Sequence, residues 1–345
     1  MKTERIEYID AMRGFTMLLV VYSHVSTIGY GTSYPSFNDF FLHFRMPLFF
    51  FISGWVLYKI DRIWDWNFYN SFLKKKFVVQ IIPTVVFLMI YLYITDGFCF
   101  DSLNETKAGY WFTYTLFEYF ILYGSFMIIW ESLIKRETKT TDWAVLFFAF
   151  SIYFLSTLHM SCKNETLRPI LDVLGLYEWR YFFFFVLGTI VKKHYSKFVE
   201  KTNNKYVSAI LITSLAFMLL FSSKILLLPG GGTIEFLTYG SLGIFVVLTF
   251  FRVNEKWFSK EHLIGRGLQY IGRRTLDIYL LHYFFLPANF TLLGNVFKNY
   301  KIYTFEFFTT TTIALMVIAI CLAVSNVIRI SPFLAHYLFG VKNTK

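Results

Sequence analysis

Two basic side chains, Arg13 and His24, lie eleven positions apart in an apolar segment near the start of the chain. At 100° per residue in an α-helix, eleven positions correspond to three turns plus about 20°. The two side chains therefore share one face of a predicted helix, with His24 about 16 Å further along it. An imidazole in this position could act as a base, and the guanidinium could bind an anionic substrate. The alternative is that Arg13 is a topology anchor and His24 a hydrogen-bonded packing histidine.

The next apolar segment contains Arg45, two residues before Pro47. Proline removes a backbone hydrogen bond, so we expect the helix to bend or break there. Ser53 and Gly54 follow and would allow close contact with another helix. Arg45 is predicted at a depth similar to that of His24, where a guanidinium could stabilise a developing negative charge. The alternative is that Arg45 snorkels to the outer surface.

Later apolar segments also carry titratable side chains, which cost roughly 2.5–3.5 kcal/mol on membrane insertion scales. They are Glu118 in the fourth segment and Asp277 and His282 in the ninth. Glu118 could orient His24 or balance Arg45, or it could form a structural ion pair between helices. Asp277 and His282 are about one and a half turns apart, so they face different sides of their helix. His282 could reach the site or could serve packing alone.

The composition assigns all of these segments to a membrane. Of the 345 residues, 56% are hydrophobic and only 16% are charged, whereas soluble domains carry about 25% charged residues. The sequence therefore predicts an all-α fold, a polytopic bundle of about ten transmembrane helices that fills residues 1–345 as a single domain. The predicted spans are 12–32, 39–58, 77–95, 110–130, 143–160, 173–191, 206–227, 233–251, 275–297 and 303–328.

The positive charges alternate between the loops. Of the 33 Lys and Arg residues, 25 lie in the predicted inside segments and 7 in the outside ones; the inside segments are 1–13, 59–76, 135–139, 192–205, 252–274 and 329–345. The positive-inside rule then predicts that both termini lie on the cytoplasmic side. The membrane is expected to be the cell (inner) membrane. Because topology accounts for the net charge of +11, no nucleic-acid partner is expected.

Two motifs in the first part of the chain resemble those of the membrane acyltransferase-3 family. The first reads YIDAMRG at 8–14, includes Asp10, and is followed by ten residues between Arg13 and His24. The second reads FRMPLFFFISG at 44–54, and this sequence is similar to that of the fucose 4-O-acetylase branch.

Later segments extend the resemblance over most of the chain. Trp111 and Glu118 are similar to the family's tryptophan-containing helix with a downstream acid, and LDIYLLH at 276–282 is similar to its late segment. Trp55 is a departure, because many members carry Phe or Tyr after the Ser-Gly pair. The hydrolase-like domain fused to some members is not expected here.

The resemblance implies transfer of acyl groups, usually acetyl from acetyl-CoA, onto a hydroxyl of a sugar or surface polysaccharide. It makes Arg13 and His24 an essential pair. In that reaction His24 would be the general base, Arg45 would stabilise the oxyanion with help from Glu118, and Arg13 would hold coenzyme A phosphates. Acyl-CoA is expected as a donor substrate, with no permanently bound cofactor and no metal site. Further candidate substrate contacts are Asp10, Ser53, Trp111 and His282.

Two other functions remain consistent with the sequence. In the other large class of membrane acyltransferases the key histidine lies late in the chain, which would move the base to His282. A transporter or flippase would use the buried His, Arg and Glu residues as a proton relay. Corresponding interrupted helices in the two halves of the chain would favour a transporter; Pro47 is a clear case, and Pro83 and Pro287 are weaker ones.

The charge asymmetry predicts that Asn104 and Lys201 lie on opposite sides of the membrane. Reporter fusions made after these two residues should report different compartments, with the Lys201 fusion in the cytoplasm. The measurement uses a reporter that is active on one side only. The same compartment at both positions would contradict the topology.

Overall fold

The regular elements are helices throughout the part of the chain that the computed structural model describes. The described residues are 6–31, 36–60, 62–95, 107–134, 139–160, 171, 175–204, 206–207, 209–216, 231–287 and 290–341. In chain order the main helices are α1 (Glu7–His24), α2 (Phe37–Leu42), α3 (Arg45–Leu57), α4 (Trp66–Lys76), α5 (Ile82–Thr95), α6 (Trp111–Ile134), α7 (Lys139–Met160), α8 (Phe182–Lys193), α9 (Tyr195–Thr202), α10 (Gly231–Val253), α11 (Leu263–Arg273), α12 (Thr275–Leu281), α13 (Thr291–Tyr300), α14 (Tyr303–Ile328) and α15 (Pro332–Phe339).

Within the described residues, six helical stretches are long and apolar enough to cross a membrane. They are Phe37–Leu57, Trp66–Thr95, Trp111–Ile134, Thr140–Leu158, Gly232–Val253 and Tyr303–Ile328. Each overlaps one of the ten predicted spans, which confirms, for the described residues, an all-helical fold with several helices long and apolar enough to cross a membrane. The total of ten spans and the cytoplasmic location of both termini stay predictions.

Two of the remaining predicted spans fall on helical segments of mixed type. The span 12–32 corresponds to α1 and a π-helical turn at Val25–Gly29. The span 173–191 corresponds to a 3-10 turn at Leu176–Tyr181 that leads directly into α8. In the span 206–227, residues 208 and 217–227 lie outside the described residues, as does the predicted outer position Asn104.

The ninth predicted span, 275–297, is not one continuous helix. Helix α12 ends at Leu281, a 3-10 turn follows at His282–Phe284, and the chain is irregular at Pro287 before α13 begins. Proline has no amide hydrogen for an intrahelical bond, and its ring clashes with the preceding turn. The sequence signal of an apolar run was therefore correct, but the run folds as two helices.

Pro47 interrupts the second predicted span in the expected way. Because Pro47 cannot donate a hydrogen bond to the carbonyl of His43, the helix is not continuous there. A turn at His43 and Phe44 separates α2 from α3, and Arg45 becomes the first residue of α3. Helix α3 then resumes regular bonding, with the amide of Leu48 donating to the carbonyl of Phe44 at 2.8 Å.

The helices form two compact units, each assembled from two stretches of the chain. The first unit comprises Met1–Ile52 and His194–Leu322. The second comprises Ser53–Lys193 and Ala323–Lys345.

In the first unit, α1 and α11 touch backbone to backbone. A Cβ atom on Gly14 would lie 1.9 Å from the carbonyl oxygen of Leu268, and one on Gly272 would lie 2.0 Å from that of Asp10. No Cβ atom fits at such distances, so the contact requires glycine on both helices. The glycine that follows Arg13 in the first sequence motif therefore has a packing role.

In the second unit, α3 and α8 make a similar contact. A Cβ atom on Gly54 would lie 1.9 Å from the carbonyl oxygen of Phe185. Three phenylalanines of α8 are fully buried: Phe182, Phe184 and Phe185. The close approach predicted from Ser53 and Gly54 is confirmed for Gly54.

Gly14→Ala is expected to destabilise the protein by about 1–3 kcal/mol, because the methyl group would collide with a backbone oxygen. Gly267→Ala is the matched control, since a Cβ atom there meets nothing within 4 Å. Alanine at this helical position should be neutral or stabilising by about 0.5–1 kcal/mol. Thermal unfolding in detergent compares the two variants with the parent. Equal unfolding temperatures for both variants would contradict the glycine contact.

Candidate active site

His24 is the last residue of α1, directly before the π-helical turn Val25–Gly29. A π-helical turn widens the helix by one residue per turn and occurs often at functional sites. Because α1 is unbroken from Glu7 to His24, the predicted alignment of Arg13 and His24 on one face holds for this helix. His24 is half-buried.

The helix ends after Leu281, and the turn that follows places the rings of His282 and Tyr283 beside His24. The ring centres of His24 and His282 are 5.2 Å apart. Tyr283 contacts both rings, with its own centre 5.1 Å from His24 and 4.1 Å from His282. The Tyr283 hydroxyl lies 3.2 Å from Nε2 of His24, within hydrogen-bonding distance. The structure thus brings together two histidines that are far apart in the sequence.

The two interrupted segments support each other. A Cβ atom on Gly29, at the end of the π-helical turn, would lie 3.3 Å from the carbonyl oxygen of Pro287. The carbonyl of Gly29 accepts a hydrogen bond from the amide of Phe290 at 3.1 Å. Irregular backbone at membrane depth needs partners of this kind, because lipid offers none. The pairing stabilises the region in which His24 and His282 meet.

His282 is held by the backbone of its own turn. Its Nδ1 lies 2.8 Å from the carbonyl oxygen of Tyr279 and 3.2 Å from that of Ile278. A carbonyl oxygen can only accept, so Nδ1 is the nitrogen that carries the proton. Asp277, in α12, has a different partner, since its carboxylate accepts a hydrogen bond from Arg274 at 3.2 Å.

Arg45 is a cation that acts electrostatically on one of these rings, that of His24. It is half-buried at the first residue of α3, and its charge acts on the His24 imidazole. Neighbouring side chains hold this segment in place: Phe44 closes over Gly243, and His43 stacks on Tyr239 with ring centres 4.7 Å apart.

A buried carboxyl group, Glu306, anchors the same end of α1. It has no exposed surface and accepts hydrogen bonds from the hydroxyls of Tyr22 at 3.1 Å and Thr310 at 3.0 Å. The Thr310 hydroxyl also pairs with that of Tyr30 at 2.8 Å. Tyr22 precedes His24 by two residues, so this network fixes the register of α1 next to the imidazole.

The other end of α1 carries Arg13, the candidate donor-binding residue, and Asp10, a candidate substrate contact. Their partner helix α11 adds Arg266 and Arg273, both exposed and without an ion pair among the described residues. Lys260 is engaged differently, because its hydrogen bonds to Glu7 hold the pKa of that carboxyl below its usual value. The end of α1 that bears Arg13 therefore has basic side chains on two adjoining helices.

Three predicted site residues belong to the second unit and have partners there. Glu118 accepts a hydrogen bond at 3.0 Å from Nε1 of Trp179 and feels the charge of Lys107. Trp111, half-buried at the start of α6, stacks on Tyr181 with ring centres 6.0 Å apart. Ser53 is half-buried within α3. Their roles in a reaction stay predictions.

Sequence reasoning left out Tyr283 and Glu306. Tyr283 follows directly after the late motif that ends at His282, so its adjacency to a candidate histidine was the available signal. Glu306 is an acid in the first turn of a long apolar helix. Because placing a charged side chain in a membrane span costs free energy, its presence there was a sequence signal of a structural or functional role. The proximity of His24 and His282 had no sequence signal, because 258 positions separate them.

Two apolar clefts of the first unit lie apart from these groups. One, of about 420 Å³, is lined by residues of α1, α10 and α11 such as Phe15, Phe250 and Leu268. The other, of about 670 Å³, is lined by aromatic residues of α2 and α14 such as Phe40 and Phe307. Neither lining includes His24 or the rings beside it, so these clefts are separate from the histidine pair.

A family model described as an acyltransferase domain matches residues 6–329, nearly the whole chain. No curated protein and no solved structure matches the chain. The matched region contains both histidines, the basic residues of α1 and α3, and the candidate residues of the second unit.

Proposed function

The chain belongs to the acyltransferase-3 family and is a membrane acyltransferase, and we propose on this premise that it moves acetyl from acetyl-CoA to a hydroxyl group. The observation that carries the proposal is the meeting of His24 and His282 beside Arg45 in the first unit. We place the protein in the cytoplasmic membrane, with a sugar or surface polysaccharide as the acceptor. A transporter or flippase is the less favoured function, because family membership accounts for the buried His and Arg residues as reaction groups.

His24 is the proposed general base. Attack of a hydroxyl on a thioester forms a C–O bond and breaks the C–S bond, while the hydroxyl proton must leave the oxygen. A neutral imidazole accepts such a proton near neutral pH and can return it to the departing thiolate. His24 is half-buried, and its Nε2 lies 3.2 Å from the Tyr283 hydroxyl, so in the proposed reaction the entering acceptor hydroxyl would take the place of that hydroxyl or bind beside it.

Arg45 is the proposed stabiliser of the oxyanion. Negative charge develops on the thioester oxygen when the acceptor attacks, and a positioned cation lowers the energy of that state. The guanidinium of Arg45 acts electrostatically on His24, which supports a location close to the reacting atoms. Glu118 remains a proposed assisting group.

Arg13 is proposed to hold the coenzyme A phosphates at the cytoplasmic end of α1. Phosphate binding favours guanidinium groups, because their planar array of donors matches the phosphate oxygens. The exposed Arg266 and Arg273 of α11 would add to the positive potential at this entrance. Asp10, on the same turn of α1 as Arg13, would help to orient it.

The proposed activity is tested with the purified full chain and acetyl-CoA, by measuring the release of coenzyme A thiol. Thiol release that depends on the protein and rises with an added polysaccharide acceptor supports acyl transfer. Transport of a polar substrate into vesicles without consumption of thioester would favour the transporter.

His24→Ala should lower acyl transfer by about 10²–10⁴-fold while the protein still inserts and folds. The reason is that no other group in α1 can take up a proton near neutral pH. Turnover is measured as thiol release, and folding by thermal unfolding. His262→Ala is the control, since that ring contacts Trp257 outside the site, at 4.9 Å between ring centres. Near wild-type turnover in folded His24→Ala would return His24 to a packing role.

Arg13 and Arg45 should fail in different ways when each is replaced by lysine. Arg13→Lys should raise the KM for acetyl-CoA, with partial retention of binding because an ammonium still attracts a phosphate. Arg45→Lys should lower turnover by about 10²–10³-fold, as expected when a positioned donor to an oxyanion is lost.

Steady-state kinetics against acetyl-CoA concentration separates the two effects. Lys298→Gln, which removes an exposed charge on α13, serves as the control for a general electrostatic effect. A change in KM alone for Arg45→Lys, together with a change in turnover alone for Arg13→Lys, would reverse the assigned roles.

A further inference from the structure

The second histidine, His282, presents an unused lone pair. Its Nε2 is buried and has no hydrogen-bond partner in the described part of the chain. The proton of the ring is held at Nδ1 by the carbonyl of Tyr279, so Nε2 of the neutral ring can accept a hydrogen bond but cannot donate one. Leaving a buried acceptor unpaired costs free energy, and a native protein keeps such a group for a reason.

The nature of Nε2 restricts what can satisfy it. A carbonyl or phosphate oxygen brings no proton and would face the lone pair unfavourably. An alcohol, an amine or a thiol brings a donor, and the acceptor hydroxyl of an O-acyl transfer is a group of this class. The chemistry of His282 therefore matches the substrate that has to lose a proton.

The position of the His282 ring also favours the acceptor hydroxyl as its ligand. His282 has no exposed surface, whereas the neighbouring residue His24 is half-buried, so we expect a ligand to reach the pair from the side of His24. Nε2 of His24 is already in contact with the Tyr283 hydroxyl, at 3.2 Å. Of the two Nε2 atoms, that of His282 is therefore the one whose lone pair has no partner among the described residues.

We propose that His282 is a second catalytic histidine, and that the general base of this protein is a pair of imidazoles rather than His24 alone. This inference rests on the proposed acyl transfer. The reacting O–H donates to Nε2 of His282 beside His24, and its proton passes to the pair as the oxygen bonds to the acyl carbon. The C–S bond breaks, and the thiolate takes the proton back as coenzyme A thiol. Both imidazoles end the cycle neutral.

Tyr283 is a positioning residue in this arrangement. Its ring contacts both imidazoles, and its hydroxyl holds Nε2 of His24. The tyrosine thus keeps the two bases at a fixed distance when no acceptor is bound.

Two substitutions of His282 separate a packing role from a proton-accepting role. His282→Asn retains a donor at the position of Nδ1 for the carbonyl of Tyr279 and removes Nε2. His282→Gln places an amide near Nε2 that can form a hydrogen bond but cannot take up a proton. We expect both variants to fold and to lose about 10²-fold or more in turnover, with an unchanged KM for acetyl-CoA. Wild-type turnover in His282→Asn, or restored turnover in His282→Gln, would overturn the proposal.

A double variant adds a second criterion. If His24 and His282 handle the same proton, His24→Ala combined with His282→Asn should be hardly slower than the slower single variant. Losses that multiply would show two independent roles and would overturn the paired base.

Nitrogen NMR of ring-labelled histidine tests the tautomer in the full-length protein without any assay of turnover. The signal that disappears in the His282 variants should be that of a ring protonated at Nδ1 and unprotonated at Nε2. A proton at Nε2 would overturn the proposal even if the protein transfers acetyl. Absence of thioester consumption by the wild-type protein would instead remove the proposed function, and with it the catalytic role of a correctly assigned tautomer.

Discussion

The backbone contact between α1 and α11 determines the arrangement of the first unit. It is made at Gly14 and Gly272, where no side chain is present that could adjust to a shift of either helix. Helix α1 carries Arg13 beside this contact and His24 at its far end, and α11 leads directly into α12, which ends next to His282. Both segments that supply an imidazole therefore start from the same fixed point. A displacement at the glycines would be transmitted along two rigid helices to the histidine pair.

The reactive groups lie where the helices are interrupted. A continuous α-helix in lipid satisfies its own backbone, which leaves it little freedom to present a side chain differently. Here the regular α-helical hydrogen bonding is interrupted at the π-helical turn after His24 and at the irregular chain near Pro287. The hydrogen bond from the Phe290 amide to the Gly29 carbonyl replaces part of the lost backbone hydrogen bonding. The two interruptions are thus mutually dependent, and the site is located where they meet.

The intramembrane polar groups of this unit have distinct tasks. Glu306 is surrounded by hydroxyls that hold α1 in register, so its carboxyl group is accounted for by structure. His282 has one nitrogen committed to the backbone and one left open, which is the state expected of a group that waits for a ligand. Membership of an acyltransferase family gives that ligand a chemical identity, because the acceptor of acyl transfer must give up a proton.

The sequence alone determined the class of protein, most of the spans and the residues worth considering. Hydropathy reports the length of an apolar run, and a fixed helical repeat aligns Arg13 with His24 within one helix, so both could be predicted. Only the tertiary structure decided that the run 275–297 is two helices and that His282 lies beside His24, with the Tyr283 ring in contact with both imidazoles. Contacts between distant parts of the chain depend on how helices pack, and here packing is set by close backbone contacts whose partners leave no local pattern in the sequence. The unpaired nitrogen of His282 is a consequence of that packing, since the tautomer and the burial of a ring are properties of its surroundings.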